Sequence, residues 1–244
     1  MIRRLTFGLF ALFALQAAPA SAQITDYSGS LTDGTQEYLD FRGGSGVGAT
    51  WGGVQVGPYT ARFTTGGVTS PQFSIICVDF DHYAQDQMVN ITSLDGSQTD
   101  ADMGATRLAA GAGSFATYQQ AAYLGSLFES WQSVSFASGL NQRTAWSAIH
   151  AAIWTVMRGG APVVGGDPYA LRDEFITLAQ GSAGSAFSTD GWYVASPSAL
   201  PGGQEFLIRT NTVPEPSTYI MLGTGLLFLA FFGRRRLKVI EESQ

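Results

Sequence analysis

The chain has 244 residues, 45% of them hydrophobic and only 13% charged, and its 13 basic and 19 acidic side chains give a formal net charge of −6. Between residues 23 and 212 seven arginines stand against sixteen acids; with no cluster of cations to neutralise phosphate, a nucleic-acid partner is disfavoured. A single cysteine, Cys77, excludes an intrachain disulfide, and two histidines with one cysteine offer few ligands for a catalytic metal. No cofactor is expected.

The first 22 residues have the three parts of an export signal. Arg3 and Arg4 form a positive start, Leu5 to Leu15 an apolar run, and Ala20-Ser21-Ala22 a small-x-small cleavage site. Ala20 and Ala22 mark the cut, so the mature chain begins at Gln23. The Sec export machinery and signal peptidase are the partners this implies. The run is too short to count as a second membrane span.

Residues 23–212 are long enough for one extracytoplasmic domain with a proper core. Low charge with abundant glycine, serine, threonine and aromatics argues for a β-rich fold rather than disorder. Residues 24–70 are dense in turns, at Gly43-Gly44, Gly52-Gly53, Gly57-Pro58 and Gly66-Gly67, with short strands such as Tyr59 to Thr65 between them. Phe73 to Phe80 is the strongest strand and too continuously apolar to leave a face in water, so it belongs near the centre. Alternation sends Phe73, Ile75, Cys77 and Asp79 to one face, and Ile76, Val78 and Phe80 to the other.

Helical patterning takes over from about residue 100 to 180. Thr99 and Asp100 can cap a stretch through Arg107, Tyr118, Ala121 and Leu124, broken at Gly111 to Gly113. Asn141 caps the clearest helix, in which Ala145, Trp146, Ile149, Ile153, Val156 and Met157 recur at helical spacing until Gly159-Gly160. Asp167 and Pro168 open a third helix that stops near Gly181. Residues 191–195 and 204–210 return to strand. Strands, then helices, then strands indicate a single α+β domain and no parallel βαβ array.

Few residues carry reactive chemistry. Cys77 and His150 are candidates for a thiolate–imidazole pair, in which the ring lowers the thiol pKa and the product is a secreted cysteine-dependent hydrolase. Against this, Trp146, His150 and Trp154 share one helical stripe, which makes His150 a core histidine between two indoles and Cys77 a small buried hydrophobe. Asp79, Asp81 and Asp86 begin an acidic stretch whose carboxylates suit calcium, though no Asp-x-Asp-x-Asp-Gly loop is present. Trp51, Trp131 and Trp192 are candidates for stacking on sugar rings.

The tail is the most specific segment. Val213-Pro214-Glu215-Pro216-Ser217-Thr218 leads into an uncharged apolar run ending at Phe232, and Arg234, Arg235 and Arg236 follow. The two prolines stop helix from propagating upstream, and the arginines prefer the cytoplasmic side. Fourteen apolar residues reach only about 21 Å against a hydrocarbon core of about 30 Å. Taken as 217–233, the segment is just long enough for a temporary transmembrane helix, with 237–244 as a cytoplasmic tail.

This tail resembles the PEP-CTERM sorting signal of Gram-negative bacteria, a type of tail also known as an ice-binding protein C-terminal domain, although nothing in its chemistry suits ice. The resemblance implies recognition at residues 213–236 by an exosortase, cleavage near Pro-Glu-Pro, and release to the surface or an exopolysaccharide matrix, with polysaccharide as a possible partner there. A weaker resemblance joins Cys77-Val78-Asp79 and Ala152-Ile153-Trp154 to bacterial surface thioester domains, which implies a covalent adhesin. In those domains a glutamine stands four residues before the tryptophan; here that position is His150, and imidazole has no carboxamide carbon to accept sulfur. Gln142 lies 12 residues, about three helical turns, before Trp154 and so away from the matching site. Taken together, these features predict a non-enzymatic surface or matrix protein, structural or adhesive in role.

Overall fold

The computed structural model describes residues 25–44, 50–51, 54–160, 169–199 and 202–210. The signal segment with Ala20 and Ala22, the Asp167-Pro168 helix opening, the sorting motif Val213 to Thr218, the span 217–233 and Arg234 to Arg236 lie outside them. Among the described residues no helix is long and apolar enough to cross a membrane.

Strands β1 (Gln36–Gly44), β4 (Tyr59–Thr65), β6 (Phe73–Cys77), β7 (Gln87–Ser93), β8 (Trp192–Pro197) and β9 (Phe206–Arg209) form one antiparallel sheet. Its order is β1-β7-β8-β9-β6-β4, and β1 also pairs with β4, which closes six strands into a barrel. Closure removes the edges that an open sheet leaves exposed. Short strands β2 (Thr50–Trp51) and β3 (Val54–Gln55) pair with each other, and β5 (Val68–Thr69) extends β4.

Between residues 100 and 185 the regular elements are helical: a 3-10 turn at Asp100–Ala105, α1 (Ser114–Ser130), a 3-10 turn at Trp131–Ser133, α2 (Gln142–Met157), α3 (Tyr169–Gln180) and α4 (Ser182–Ser185). The expected break at Gly111 to Gly113 is real, and Asp100 caps across it. Its carboxylate accepts from the Gly113 and Phe115 amides at 2.7 and 2.9 Å, serving two of the orphan donors at the start of α1. Asn141 caps α2 by accepting from the Thr144 amide at 3.0 Å. Gly159 and Gly160, with φ of 65° and 92°, end it in the left-handed region.

Two cores share one sheet. Phe73, Ile75 and Cys77 point into the barrel with Phe63, Phe206 and Ile208, while Ile76 and Val78 point out and pack with Val194 and Leu207 under α1 and α2. The expected alternation holds through Val78 as two buried faces, but the strand ends at Cys77, and Phe80, expected with Ile76 and Val78, packs instead with the barrel cluster. Helix α1 lies so close to β6 that a Cβ on Gly125 would come within 2.7 Å of Ile76 Cδ1. Helix α2 is buried without interruption from Ala145 to Val156, giving Ile149 and Ile153 to the helical core and Ala151 and Trp154 to the barrel core.

Two features depart from the sequence reading. Residues 87–93, inside the acidic stretch, form barrel strand β7, and residues 36–44 form β1. Trp131 and Trp192 are core side chains, 6% and 3% exposed, and neither presents a ring to a sugar. The side chain of Trp51 is outside the described set.

Candidate functional site

Cys77 ends β6 at one pole of the barrel, where α2 crosses. Both it and His150 have no exposed surface. The Gly57 amide donates to His150 Nδ1 at 2.8 Å, so the ring hydrogen sits on Nε2, which donates to the Cys77 carbonyl oxygen at 2.9 Å. Both nitrogens are therefore spent on backbone. Burial holds the imidazole pKa down to about 4, partly offset by the bond to Cys77, so the ring is neutral. The Trp154 ring stacks on it at 4.2 Å, and Phe128 meets it edge-on at 5.5 Å. The second neighbour expected from the helical stripe, Trp146, instead donates its indole N–H to the Phe128 carbonyl at 2.9 Å.

The Cys77 thiol donates to the Asp79 carbonyl oxygen at 3.2 Å, and burial pushes its pKa up to about 12. The fold thus assembles Cys77 and His150 as neighbours but turns the ring to the cysteine's backbone and leaves the sulfur protonated. A thiolate nucleophile needs the reverse arrangement.

Next to this pair lies a buried polar network that the sequence did not reveal. Glu205, with no exposed surface, accepts from Tyr118 Oη at 2.6 Å, Ser196 Oγ at 2.5 Å and the Arg107 amide at 2.9 Å; burial nevertheless raises its pKa. The Arg107 side chain pairs with the Asp79 carboxylate and donates to the Gly203 carbonyl. Asp79 also accepts from the Asp81 amide at 3.2 Å and faces His82 Nδ1 at 2.9 Å. Gln204 donates to the Asp79 carbonyl at 2.9 Å and accepts at its own carbonyl from Gln87. Arg107 and Gln87 lie 98 and 117 residues from their partners in the adjacent pair Gln204-Glu205, so only the fold shows that they meet.

The three aspartates proposed for calcium are not brought into one cage. Asp79 faces Arg107, Asp81 pairs with Arg158 at 3.3 Å, and Asp86 accepts from the Phe41 amide at 2.9 Å. Among the described residues no group of three or more His, Cys, Asp or Glu is placed to hold a metal ion. Gln142 sits in the first turn of α2, two turns before His150, so the helix does not carry it to Cys77.

Above the network opens a cleft of about 460 Å³ lined by Phe41, Val54, Gln55, Tyr59, Phe80, Asp81, His82, Tyr83, Ala84, Trp154 and Gln204. Phe80 packs against Trp154 at 5.0 Å, and Tyr83 stands 90% exposed.

A closed six-stranded barrel bearing an open cleft is the class of domain that the described residues define. The PEP-CTERM protein-sorting motif matches residues 212–236, so the chain carries that motif in its tail. The motif is recognised by exosortase and implies a secreted protein, transiently anchored in the membrane and sorted to the cell surface. No curated protein matches the chain. Among solved structures it is similar to the N-terminal domain of the Streptococcus pyogenes pilus tip adhesin Cpa, with 9% identity, a TM-score of 0.44, and coverage of 77% of this chain and 98% of that one.

Proposed function

We propose that the protein is a non-enzymatic surface or matrix component, anchored briefly by residues 217–233, released by an exosortase near Pro214-Glu215-Pro216, and structural or adhesive in its final location. The match of the sorting motif at residues 212–236 carries this reading. The signal segment ending at Ala22 agrees with it, because both ends place the domain outside the cytoplasm. The buried, protonated Cys77 and the neutral His150 support a binding role over a cysteine hydrolase, since neither group is poised for proton transfer or attack. A polysaccharide of the surface or matrix is the partner class favoured for the domain.

Fractionation tests the sorting claim. Changing Pro214, Glu215 and Pro216 to alanine should hold the protein in the membrane fraction, with the unaltered chain recovered outside the cell. Equal membrane retention of the two would overturn the reading.

A further inference from the structure

The two ends of the domain leave the barrel together. Tyr27 bridges Thr210 in parallel register, and its amide donates to the Arg209 carbonyl at 2.8 Å. Thr25 bonds Ser74 twice, through its amide to Oγ and its carbonyl to the amide. The first and last described residues, Thr25 and Thr210, therefore share one pole, formed by the Phe73 end of β6 and the Arg209 end of β9. The cleft belongs to the other pole. Its residues flank the Cys77 end of β6 (Phe80), the first residue of β4 (Tyr59) and the start of β9 (Gln204). From Gln204 to Thr210 the chain runs six residues in nearly extended form, about 20 Å.

The lining of the cleft combines flat apolar faces with hydrogen-bonding edges. Tyr83 and Phe80 supply accessible rings over the buried Tyr59, and Gln55, Asp81 and His82 supply polar groups. A lipid chain would strip water from those polar groups without replacing it, at a cost for each. Among the described residues the six-stranded barrel offers an extended peptide no free edge, because β1–β4 pairing closes it, and β3 beside the cleft is only two residues long. A pyranose offers both matching surfaces, a C–H face for the rings and hydroxyls for the edges, and the cavity volume lies within the usual ligand range of about 300–1,000 Å³. Asp81 in the lining is paired with Arg158, and the excess of acids over arginines in the domain as a whole disfavours an anionic glycan.

The geometry points to a binding site for neutral pyranose chains in this cleft, presented at the pole opposite the membrane tether and so open in the anchored and the released protein alike. It deepens the surface-binding reading, and the two fail separately: sorting is read by fractionation, this site by affinity.

The experiment titrates cellotetraose, maltotetraose, chitotetraose and a mannuronate tetramer into two preparations, following heat and tryptophan emission. One is the unaltered protein, taken from whichever fraction holds it; the other is the P214A/E215A/P216A chain in vesicles. At least one neutral tetrasaccharide is expected to bind both at millimolar concentration or below, with affinities within about threefold, a difference of about 0.7 kcal/mol. Tyr83→Ala, at a position 90% exposed, should weaken that binding at least tenfold without moving the unfolding midpoint. Binding of no neutral sugar, of the mannuronate alone, or with no effect of Tyr83→Ala would overturn the site. Binding at least tenfold weaker to the anchored form would overturn its outward placement.

Discussion

The Cys77 thiol and the Gln204 carboxamide donate to one acceptor, the Asp79 carbonyl oxygen, at 3.2 and 2.9 Å. This is the glutamine that the fold brings beside the cysteine, and it comes from the start of β9 rather than from α2. In this arrangement each group keeps its own hydrogen. A thioester would expel ammonia and remove both donors, so the intact mass of the released protein should show no loss of about 17 Da.

Burial of the thiol makes a prediction about reactivity. A thiol pKa raised to about 12 from 9.0 lowers the thiolate fraction at a given pH about a thousandfold, before steric exclusion is counted. Alkylation of native protein by iodoacetamide at pH 8 should therefore be slower than in denaturant by at least that factor. Native labelling at the rate of a free thiol would restore the hydrolase reading.

His150 predicts how stability depends on pH. Its pKa is about 4 in the fold against 6.5 for the free side chain, so the unfolded chain binds the proton more readily between those values. Stability should be fully present above pH 6.5 and fall as pH drops toward 4, by up to about 3 kcal/mol. Glu205 works in the opposite direction: its raised pKa favours the folded state when it is protonated, and that contribution is lost as pH rises above the ordinary carboxyl range. Urea midpoints measured from pH 4 to 8 on Glu205→Gln isolate the histidine. A flat profile in that variant would contradict the neutral, buried assignment of His150.

Gly57 holds the ring in place by its backbone alone. Its φ is 97°, its amide donates to His150, and a Cβ there would collide with the Trp146 indole. Gly57→Ala should destabilise by at least about 3 kcal/mol, combining backbone strain with displaced packing. Gly66→Ala, which also has positive φ but open space around it, provides the comparison and should cost markedly less. Equal midpoints for the two variants would refute the role of Gly57.

Much of this fold was legible because local chemistry and tertiary context agree. Tyr59–Thr65 alternates as a strand with one face in a core, Asn141 caps α2, and Gly159-Gly160 stops it, each as read from spacing. The barrel was not legible. Strand β1 carries Glu37, Asp40 and Arg42, and β7 lies among turn-forming aspartates, so their pairing partners define them more than their composition does. At the site, sequence brought forward Cys77 and His150, whose residue types announce chemistry. It could not show that His150 would bond to the backbone of Cys77, nor that Glu205 and Arg107, separated by 98 residues, meet inside the protein.

The most direct test of the account is the pair of termini on the protein recovered outside the cell, read by mass spectrometry of the intact chain and its end peptides. The account predicts a first residue of Gln23 and a last residue near Pro214-Glu215-Pro216, with the apolar run and the three arginines gone. A chain that retains Met1, or that leaves the cell with residues 217–236 still attached, would contradict it.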